Sequence, residues 1–266
     1  MLLSACGDDA DQSANEAPPT PIVQPAKPAA DKPAASEQPR KRKSGSTEAQ
    51  STQAQSTDKP QKRRSERNAR SGEPLPQGKG FDFYVLALSW SPSYCEAEGE
   101  DANAQQCSRP YGMTVHGLWP QFERGWPQDC ATTEPDVPRE TLQSLYDIMP
   151  SSGLIRYEWR KHGTCTQMPQ ADYFRVLREA WNRVNIPAQF KNVSATVEMD
   201  ANAIEGAFLS VNPAMKAAGT AVICDGRYFR EVRICMARDL SFRACAEVDE
   251  RACRLRDAEI PPVHPR

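Results

Sequence analysis

The chain has 266 residues and a formal net charge of −2, from 33 Lys and Arg against 35 Asp and Glu. All 8 Phe, 7 Tyr and 5 Trp lie at or after Phe81, so only the later part of the chain can build an aromatic core. That part has the length of one domain, which excludes two large domains in tandem. No apolar run is long enough for a membrane-spanning helix. Without a basic excess, any binding of nucleic acid would need a local site.

The first 80 residues divide into two segments. Residues 1–6 end in the run Leu3-Ser4-Ala5-Cys6, which resembles the lipobox of bacterial lipoproteins, where the cysteine is lipidated. Only Met1 and Leu2 precede that run, so we expect the true start codon to lie upstream. Residues 7–80 are rich in Pro, Ala, Ser and Lys and cannot bury enough apolar surface to offset the entropy of ordering. We therefore predict a disordered tether over 7–80 and a folded domain over 81–266.

The folded domain opens with a nearly continuous apolar run over 81–90, which predicts a central buried strand. Asp225-Gly226 between two apolar runs predicts a hairpin. The other predicted elements, in chain order, are a strand at 111–115, helices at 141–149, at 157–165 and from an N-cap at Asp172, a strand at 193–199, a helix at 203–211 and strands at 221–224 and 228–235. Strands at both ends with helices between them predict an α+β fold, with a central antiparallel sheet flanked by helices.

Eight of the nine cysteines lie in the folded domain, and Cys6 stands apart. An even number in one domain is typical of disulfides formed in an oxidising compartment. Zinc binding is the alternative, but the chain has no CxxC pair and only 3 histidines. Four disulfides are therefore predicted, and the cysteine spacing alone leaves their connectivity open.

Two histidines lie in stretches of the chain that combine aromatic, polar and glycine residues in an unusual way. His116 lies within 114–121, and His162 lies within 157–165. If the second stretch is helical, Glu158 and His162 share one face and Lys161 lies beside them. Glu158 should then favour the charged form of His162, and Lys161 should oppose it. From this stretch alone, an ordinary surface helix with a Glu–His pair is the simpler interpretation. The third histidine, His264, lies in a Pro-rich tail, and we expect it to be inert.

Together the two stretches resemble the active-site segments of the ribonuclease T2 family. The first matches its His-Gly-Leu-Trp-Pro segment at 116–120, and the second matches its Glu-Trp-x-Lys-His-Gly-Thr-Cys segment at 158–165. The resemblance extends to 87–95 and 231–235 and covers nearly all of residues 81–253. The first 80 residues have no counterpart in it.

The resemblance implies a ribonuclease T2-like catalytic domain over 81–266. Such an endoribonuclease cleaves single-stranded RNA with low base specificity, by attack of the 2′-hydroxyl, through a 2′,3′-cyclic phosphate to 3′-phosphate ends. The two histidines titrate near neutral pH and supply the acid and the base, so no metal or cofactor is implied. By the same resemblance, His162 is expected to act as the base and His116 as the acid. Lys161 is expected to stabilise the charged phosphorane, and Glu158 to orient the neighbouring groups.

Three further residues are assigned to substrate binding. Trp119 offers a ring for base stacking, although a core position behind the loop fits it equally well. Tyr157 stands where many relatives have a third, phosphate-binding histidine, so phosphate should be held differently here. Gln121 stands where eukaryotic relatives commonly have Asp, so their base preference cannot be carried over.

With this resemblance in view, we predict four disulfides that join Cys95–Cys107, Cys130–Cys165, Cys224–Cys253 and Cys235–Cys245. We expect a bacterial protein that is either anchored in the cell envelope through lipidated Cys6, facing the periplasm, or secreted. We also expect a monomer. The alternative is a catalytically idle RNA-binding or signalling protein on the same scaffold, but all four catalytic side chains are present. A zinc-stabilised envelope module is disfavoured by the ligand spacing.

Overall fold

The computed structural model describes residues 74–99 and 104–263. The predictions for Cys6, for the tether up to residue 73 and for His264 lie outside these residues. Within the described ranges, no helix has both the length and the apolar character needed to cross a membrane. The description below therefore concerns the predicted domain and the residues just before it.

The described residues form strands, α-helices and short 3₁₀ turns in alternation. The strands are β1 (Phe83–Trp90), β2 (Met113–Gln121), β3 (Val197–Met199), β4 (Thr220–Asp225), β5 (Tyr228–Ala237) and β6 (Ala258–Ile260). The helices are α1 (Ser91–Glu98), α2 (Ala104–Cys107), α3 (Arg139–Leu145), α4 (Ser152–Lys161), α5 (Gln170–Asn182), α6 (Ala201–Val211) and α7 (Ala246–Asp249). The 3₁₀ turns are Gly163–Thr166, Ala188–Phe190 and Ala217–Gly219.

Strand β1 lies at the centre of the sheet, antiparallel to β2 on one side and to β5 on the other. Strand β4 continues the sheet as an antiparallel partner of β5, and β3 pairs antiparallel with β6. One contact is parallel, because Tyr228 of β5 faces Glu259 of β6. The predicted α+β class is thus confirmed, and the sheet is mixed rather than wholly antiparallel.

Both faces of β1 are covered, which explains its continuous apolar run. Leu86 and Leu88 point into the main core, which also takes in the apolar sides of α3, α4, α5 and α6. Phe83 and Val85 point to the opposite face, into a smaller cluster that includes Cys235. Helices α3 to α6 stabilise the face with the main core, and Val248 of α7 packs on the other face.

Helix α4 differs from its predicted bounds at both ends. It begins after Ser151, whose Oγ accepts a hydrogen bond of 3.2 Å from the backbone N–H of Leu154. It ends at Lys161, because His162 leaves helical geometry with φ −120° and ψ −48°. A Cβ on Gly163 would collide with the ring of Trp159, so the chain passes close to the core directly after His162. This turn carries His162 away from the helix face predicted for it.

The end of the predicted tether belongs to the folded part. Leu75 packs against the main core, and the N–H of Lys79 donates a hydrogen bond of 2.9 Å to the carbonyl of Thr166. The domain boundary therefore lies before Phe81, because residues 74–80 make specific contacts despite their lack of aromatic side chains.

Other differences lie at element ends. Helix α5 starts after Pro169, so Asp172 is in its first turn rather than at its N-cap, and it pairs there with Arg175 at 3.2 Å. Strand β2 runs on through His116 to Gln121, where the sequence analysis ended a strand at Val115. The short elements α1, α2, α7 and β6 were missed, because a few residues carry no measurable hydrophobic period.

The described cysteines form four disulfides, Cys95–Cys107, Cys130–Cys165, Cys224–Cys253 and Cys235–Cys245. These are the same pairs that were predicted. Cys130–Cys165 joins the segment after β2 to the turn after α4, and these two segments follow the two histidines. Closing that loop restricts the unfolded chain and so stabilises the arrangement of the site.

Candidate active site

A β-bulge in β2 positions His116. Gly117 faces Ala87 of β1 and Val115 faces Leu88, which leaves His116 as an extra residue without a partner in the register. A bulge bends its strand and redirects a side chain. Val115 therefore stays in the core, while His116 and Gly117 lie on the opposite face, towards α4.

Glu158 of α4 is buried directly against this bulge. Its side chain is 1% exposed, its Oε2 accepts a hydrogen bond of 2.7 Å from Trp119 Nε1, and its Oε1 lies 3.7 Å from His116 Nε2. Burial raises the pKa of Glu158 to about 7, although the charge of His116 and the Trp119 hydrogen bond act against it. The carboxylate thus acts on His116, and the expectation that it would favour the charged form of His162 was wrong.

His116 is held from its other side by Glu231 of β5. His116 Nδ1 donates to Glu231 Oε2 at 2.9 Å, and Arg233 Nε donates to Glu231 Oε1 at 2.7 Å. Burial works to raise the pKa of Glu231, but the hydrogen bonds and charges of His116 and Arg233 outweigh it and hold the pKa at about 2. Burial alone would lower the pKa of His116, but Glu231, aided by Glu158, raises it above its ordinary value.

His162 has the opposite environment. Its side chain is 8% exposed, and its Nδ1 is buried with no hydrogen-bond partner among the described residues. Burial, together with the positive charges of Lys161 and His116, lowers the pKa of His162 to about 3. Because the ring lines a cavity while Nδ1 is buried, Nε2 is the nitrogen available to a ligand.

Trp119 lies between the two histidines. Its ring centroid is 5.2 Å from that of His116 and 5.5 Å from that of His162, and the guanidinium of Arg233 lies 5.2 Å from the centre of its ring. The half-buried indole also lines the cavity. The ring therefore contacts both histidines and also borders the cavity, and its role in base stacking stays a prediction.

Lys161 is joined to Tyr157 one turn earlier on α4. Its Nζ donates a hydrogen bond of 2.7 Å to the Tyr157 hydroxyl and lies 5.2 Å from the centre of that ring. This hydrogen bond raises the pKa of Lys161, so the side chain stays charged. Lys161 lines the cavity, whereas Tyr157 contacts that lysine without lining the cavity itself, so the substrate-binding role of Tyr157 stays a prediction.

The cavity has a volume of about 270 Å³. His162, Lys161, Trp119 and Gln121 line it, so four of the predicted site residues meet there. Its outer wall includes Trp126, an exposed aromatic side chain. Aromatic rings next to cationic side chains are typical of sites that bind single-stranded nucleic acid.

Sequence reasoning missed several residues of this site. Glu231 and Arg233 are charged residues that alternate with the buried Val232 and Ile234 in a predicted strand, and that pattern could have identified them. Trp126 lay in a segment without periodicity and gave no such signal. The other residues missed are Gly117, Gln128, Glu247 and Arg251, of which the last three line the cavity.

Comparisons with known proteins agree with these motifs. The family model described as "Ribonuclease T2 family" matches residues 81–245. A ribonuclease of Aeromonas hydrophila is 43% identical over 104 residues, which cover 38% of this chain and 46% of that protein. Ribonuclease I of Escherichia coli is 32% identical over 139 residues, which cover 36% of this chain and 52% of that protein. The chain thus spans about half the length of the curated relatives it matches.

Solved structures share the fold at low identity. An RNase-related protein from Calystegia sepium aligns with a TM-score of 0.57 and 23% identity, over 70% of this chain and 100% of that one. RNase NT in complex with 5′-AMP aligns with a TM-score of 0.53 and 21% identity, over 69% of this chain and 100% of that one. At these identities the likeness establishes the fold alone.

The contact of Gly117 with Glu158 leads to a prediction for stability. A Cβ at residue 117 would overlap Glu158 Oε2 and Trp119 Nε1, so Gly117→Ala should lower the free energy of unfolding by about 1–3 kcal/mol. Urea denaturation measures the change. Gly206→Ala is the matched control, because residue 206 lies exposed in α6 with open space around it and should become more stable by about 0.5–1 kcal/mol. A Gly117→Ala variant as stable as the native protein would contradict the close approach.

Proposed function

The chain belongs to the ribonuclease T2 family, and we propose that it is an endoribonuclease that cleaves single-stranded RNA by attack of the 2′-hydroxyl. One observation carries this proposal: two histidines, both in contact with Trp119, have opposite electrostatic environments. The pKa of His162 is lowered, which favours a neutral base, and that of His116 is raised, which favours a charged acid.

The cleavage reaction requires a base that accepts one proton and an acid that donates another. Neutral His162 accepts the proton of the 2′-hydroxyl at Nε2, and the 2′-oxygen forms a bond to the adjacent phosphorus. The bond from phosphorus to the 5′-oxygen breaks, and His116 gives that oxygen its proton, which leaves a 2′,3′-cyclic phosphate. In the second step the roles reverse, because His116 activates water and His162 protonates the 2′-oxygen as the ring opens to a 3′-phosphate.

Lys161 and the two carboxylates support these transfers. Lys161 lines the cavity beside His162 and stays charged, so it can stabilise the extra negative charge on the phosphoryl oxygens in the transition state. Glu231 holds His116 by Nδ1, which leaves Nε2 for the leaving oxygen. Glu158 orients Trp119 through its indole N–H and contributes to the charged state of His116.

The cavity fits unpaired bases. Trp119 and Trp126 offer rings in its wall, and stacking on such rings requires a base that has left a duplex. Gln121 and Gln128 each carry an amide that can both donate and accept hydrogen bonds, so they do not select one base strongly. We therefore propose low base specificity in this cavity. We also propose that the enzyme is a monomer. Because the two histidines supply both proton transfers, the proposed reaction uses no metal or cofactor.

The first test removes each histidine in turn. His116→Ala and His162→Ala should each lower kcat/KM on poly(U) by about 10²–10⁴-fold, because each loses a proton-transfer group. The double variant should lose much less than the product of the two, because they act as a unit. Lys161→Ala should lower kcat more than it raises KM, since its charge is needed most in the transition state. EDTA should not change the rate.

His264→Ala is the control, since that histidine lies in the Pro-rich tail. Near-normal turnover of either active-site variant, or loss of cleavage on chelation, would refute the two-histidine mechanism. Binding of RNA by the native protein without any cleavage would favour the alternative, an idle RNA-binding or signalling protein on the same scaffold.

The second test concerns pH and Glu231. If His162 must be neutral and His116 charged, kcat/KM should follow a bell with its acidic limb near pH 3 and its alkaline limb above the ordinary pKa of histidine. Glu231→Gln removes the charge that favours the imidazolium while burial still opposes it. The pKa of His116 should fall, and the alkaline limb should move to lower pH.

Glu259→Gln is the matched control, because it removes an equal charge from a carboxylate that pairs with the exposed Arg227 instead of with a histidine. It should leave both limbs in position. An unchanged alkaline limb in Glu231→Gln would mean that His116 is not the acid of the first step.

We also propose that the enzyme is a bacterial envelope protein, lipidated at Cys6 and joined to its anchor by residues 7–73, with the periplasm as its compartment. The support is the lipobox-like run before Gly7, the four disulfides of the described domain, and the bacterial relatives. Disulfides of this number are typical of proteins exported from the cytosol.

Labelled palmitate tests the anchor. Protein expressed in bacteria behind an added lipoprotein signal segment should incorporate the label and partition into detergent, whereas a Cys6→Ala form should remain unlabelled, because the acceptor thiol is gone. Equal labelling of the two forms would remove the lipid anchor from the proposal.

A further inference from the structure

One wall of the cavity beside His162 is built from two segments that lie far apart in the sequence. The first is the Trp126 loop, residues 122–129, which follows β2 and places the Trp126 ring in the wall. The second is α7 with the residues just after it, which places Glu247 and Arg251 there. This wall is therefore complete only while the Trp126 loop lies against α7.

The Trp126 loop, all of which the structure describes, contains no helix or strand. Before the ring, the N–H of Phe122 donates a hydrogen bond of 2.9 Å to the carbonyl of Gly125, which closes a turn in which Gly125 has φ +73°. After the ring, the N–H of Asp129 donates a hydrogen bond of 2.8 Å to the carbonyl of Lys161. The exposed ring of Trp126 lies between these two points, so its position depends on the groups that contact it from outside the loop.

Glu247 accepts two hydrogen bonds that act on the Trp126 ring. Its Oε2 accepts one of 2.8 Å from the N–H of Gly125, the residue before Trp126. Its Oε1 accepts one of 2.6 Å from Arg251 Nη2, and the guanidinium of Arg251 lies 5.7 Å from the centre of the Trp126 ring. The same carboxylate therefore holds the backbone that carries the ring and the cation that lies over it.

Helix α7 is itself attached to the sheet. It begins directly after Cys245, which forms a disulfide with Cys235 of β5. Val248 of α7 packs in the smaller apolar cluster with Val85 of β1. A helix this short is not stable alone, so these contacts to the sheet hold it in place. Glu247 thus joins the Trp126 loop to a fixed part of the domain.

The charge of Glu247 argues for support of the wall rather than for direct binding of RNA. The phosphates of RNA are negative, and a carboxylate in the wall repels them. Arg251 offsets this charge through its ion pair with Glu247. Both carboxylate oxygens already accept hydrogen bonds from the protein. Glu247 is therefore placed to act on the substrate through the Trp126 ring.

Resting on the proposed function, we propose that Glu247 is a positioning residue, which sets the Trp126 ring in the cavity wall before RNA binds so that an unpaired base can stack on it. A ring that had to be ordered by the arriving base would lose part of the gain from stacking, because ordering a loop costs entropy on binding. Glu247 removes that cost in advance. Its effect should therefore fall on KM more than on kcat and should depend on the presence of Trp126.

A double-mutant cycle on poly(U) tests the proposal. Glu247→Ala should raise KM about 2- to 12-fold, the range equivalent to the roughly 0.5–1.5 kcal/mol of one hydrogen bond, with a smaller fall in kcat. Trp126→Ala should raise KM about 5- to 150-fold, the range equivalent to the roughly 1–3 kcal/mol of one stacked base. In the Trp126→Ala background, Glu247→Ala should raise KM no further, because no ring is left to position. KM does not depend on the folded fraction of the enzyme, so impaired folding cannot imitate this result.

Glu123→Ala is the matched control, because it removes an equal charge from another ion pair of the same loop, formed with Arg243 at 2.8 Å. The N–H of Glu123 is held separately by Asp82 at 2.9 Å, so this variant should keep the native KM. Glu247→Gln is the second variant, for use where Glu247→Ala does not fold. Its amide oxygen can still accept from the N–H of Gly125, so it should raise KM less, and only while Trp126 is present.

An equal rise in KM on loss of Glu247 with and without Trp126 would overturn the proposal, because Glu247 would then act on RNA without the ring. An unchanged KM in Glu247→Ala would overturn it too. A rise of the same size in Glu123→Ala would also overturn it, since any weakening of the loop would then suffice. Failure of the native protein to cleave poly(U) would instead refute the proposed function.

Discussion

The contact between His116 and Glu231 is the interaction on which the rest of the site depends. Glu231 is 3% exposed, so its carboxylate has lost its water and needs donors from the protein. His116 and Arg233 supply them. The same contact fixes the His116 ring, favours its charged form and directs Nε2 away from β5. The pKa of His116 is thus raised by a carboxylate on a strand, whereas the pKa of His162 is lowered mainly by burial at the end of α4.

The two faces of the central sheet have different roles, one in stability and one in the candidate site. The helix-covered face holds the large apolar core, and the other face carries His116, Glu231 and Arg233. Alternation along an ideal strand would put neighbours on opposite faces. A bulge at His116 in β2 and another at Arg230 in β5 interrupt this alternation. Each strand therefore keeps its apolar residues in the core, while two consecutive residues, 116–117 in β2 and 230–231 in β5, lie outside it. The strands of the sheet, rather than a loop, therefore position His116, Glu231 and Arg233.

The sequence predicted the two motifs of the candidate site better than the contacts around them. The motifs identified His116, Glu158, Lys161 and His162, and the apolar run at 81–90 identified the central strand. Periodicity could not find a bulge, because one extra residue looks the same in sequence as an irregular strand end. The prediction that Glu158 acts on His162 was wrong for a related reason. The helix was extended through His162, and only the turn at Gly163 shows that the imidazole leaves that face.

Tyr157 shows how a departure from the family pattern can be accommodated. A histidine there would gain a positive charge in acid, next to Lys161, and would add to the charges that act on His162. Tyr157 accepts a hydrogen bond from Lys161, which raises the pKa of that lysine and favours its ammonium form. The charge of Lys161 beside His162 therefore does not change as the pH falls. Lys161 lowers the pKa of His162, so its constant charge favours the neutral imidazole. A titrating histidine at residue 157 would make the charge beside His162 depend on pH.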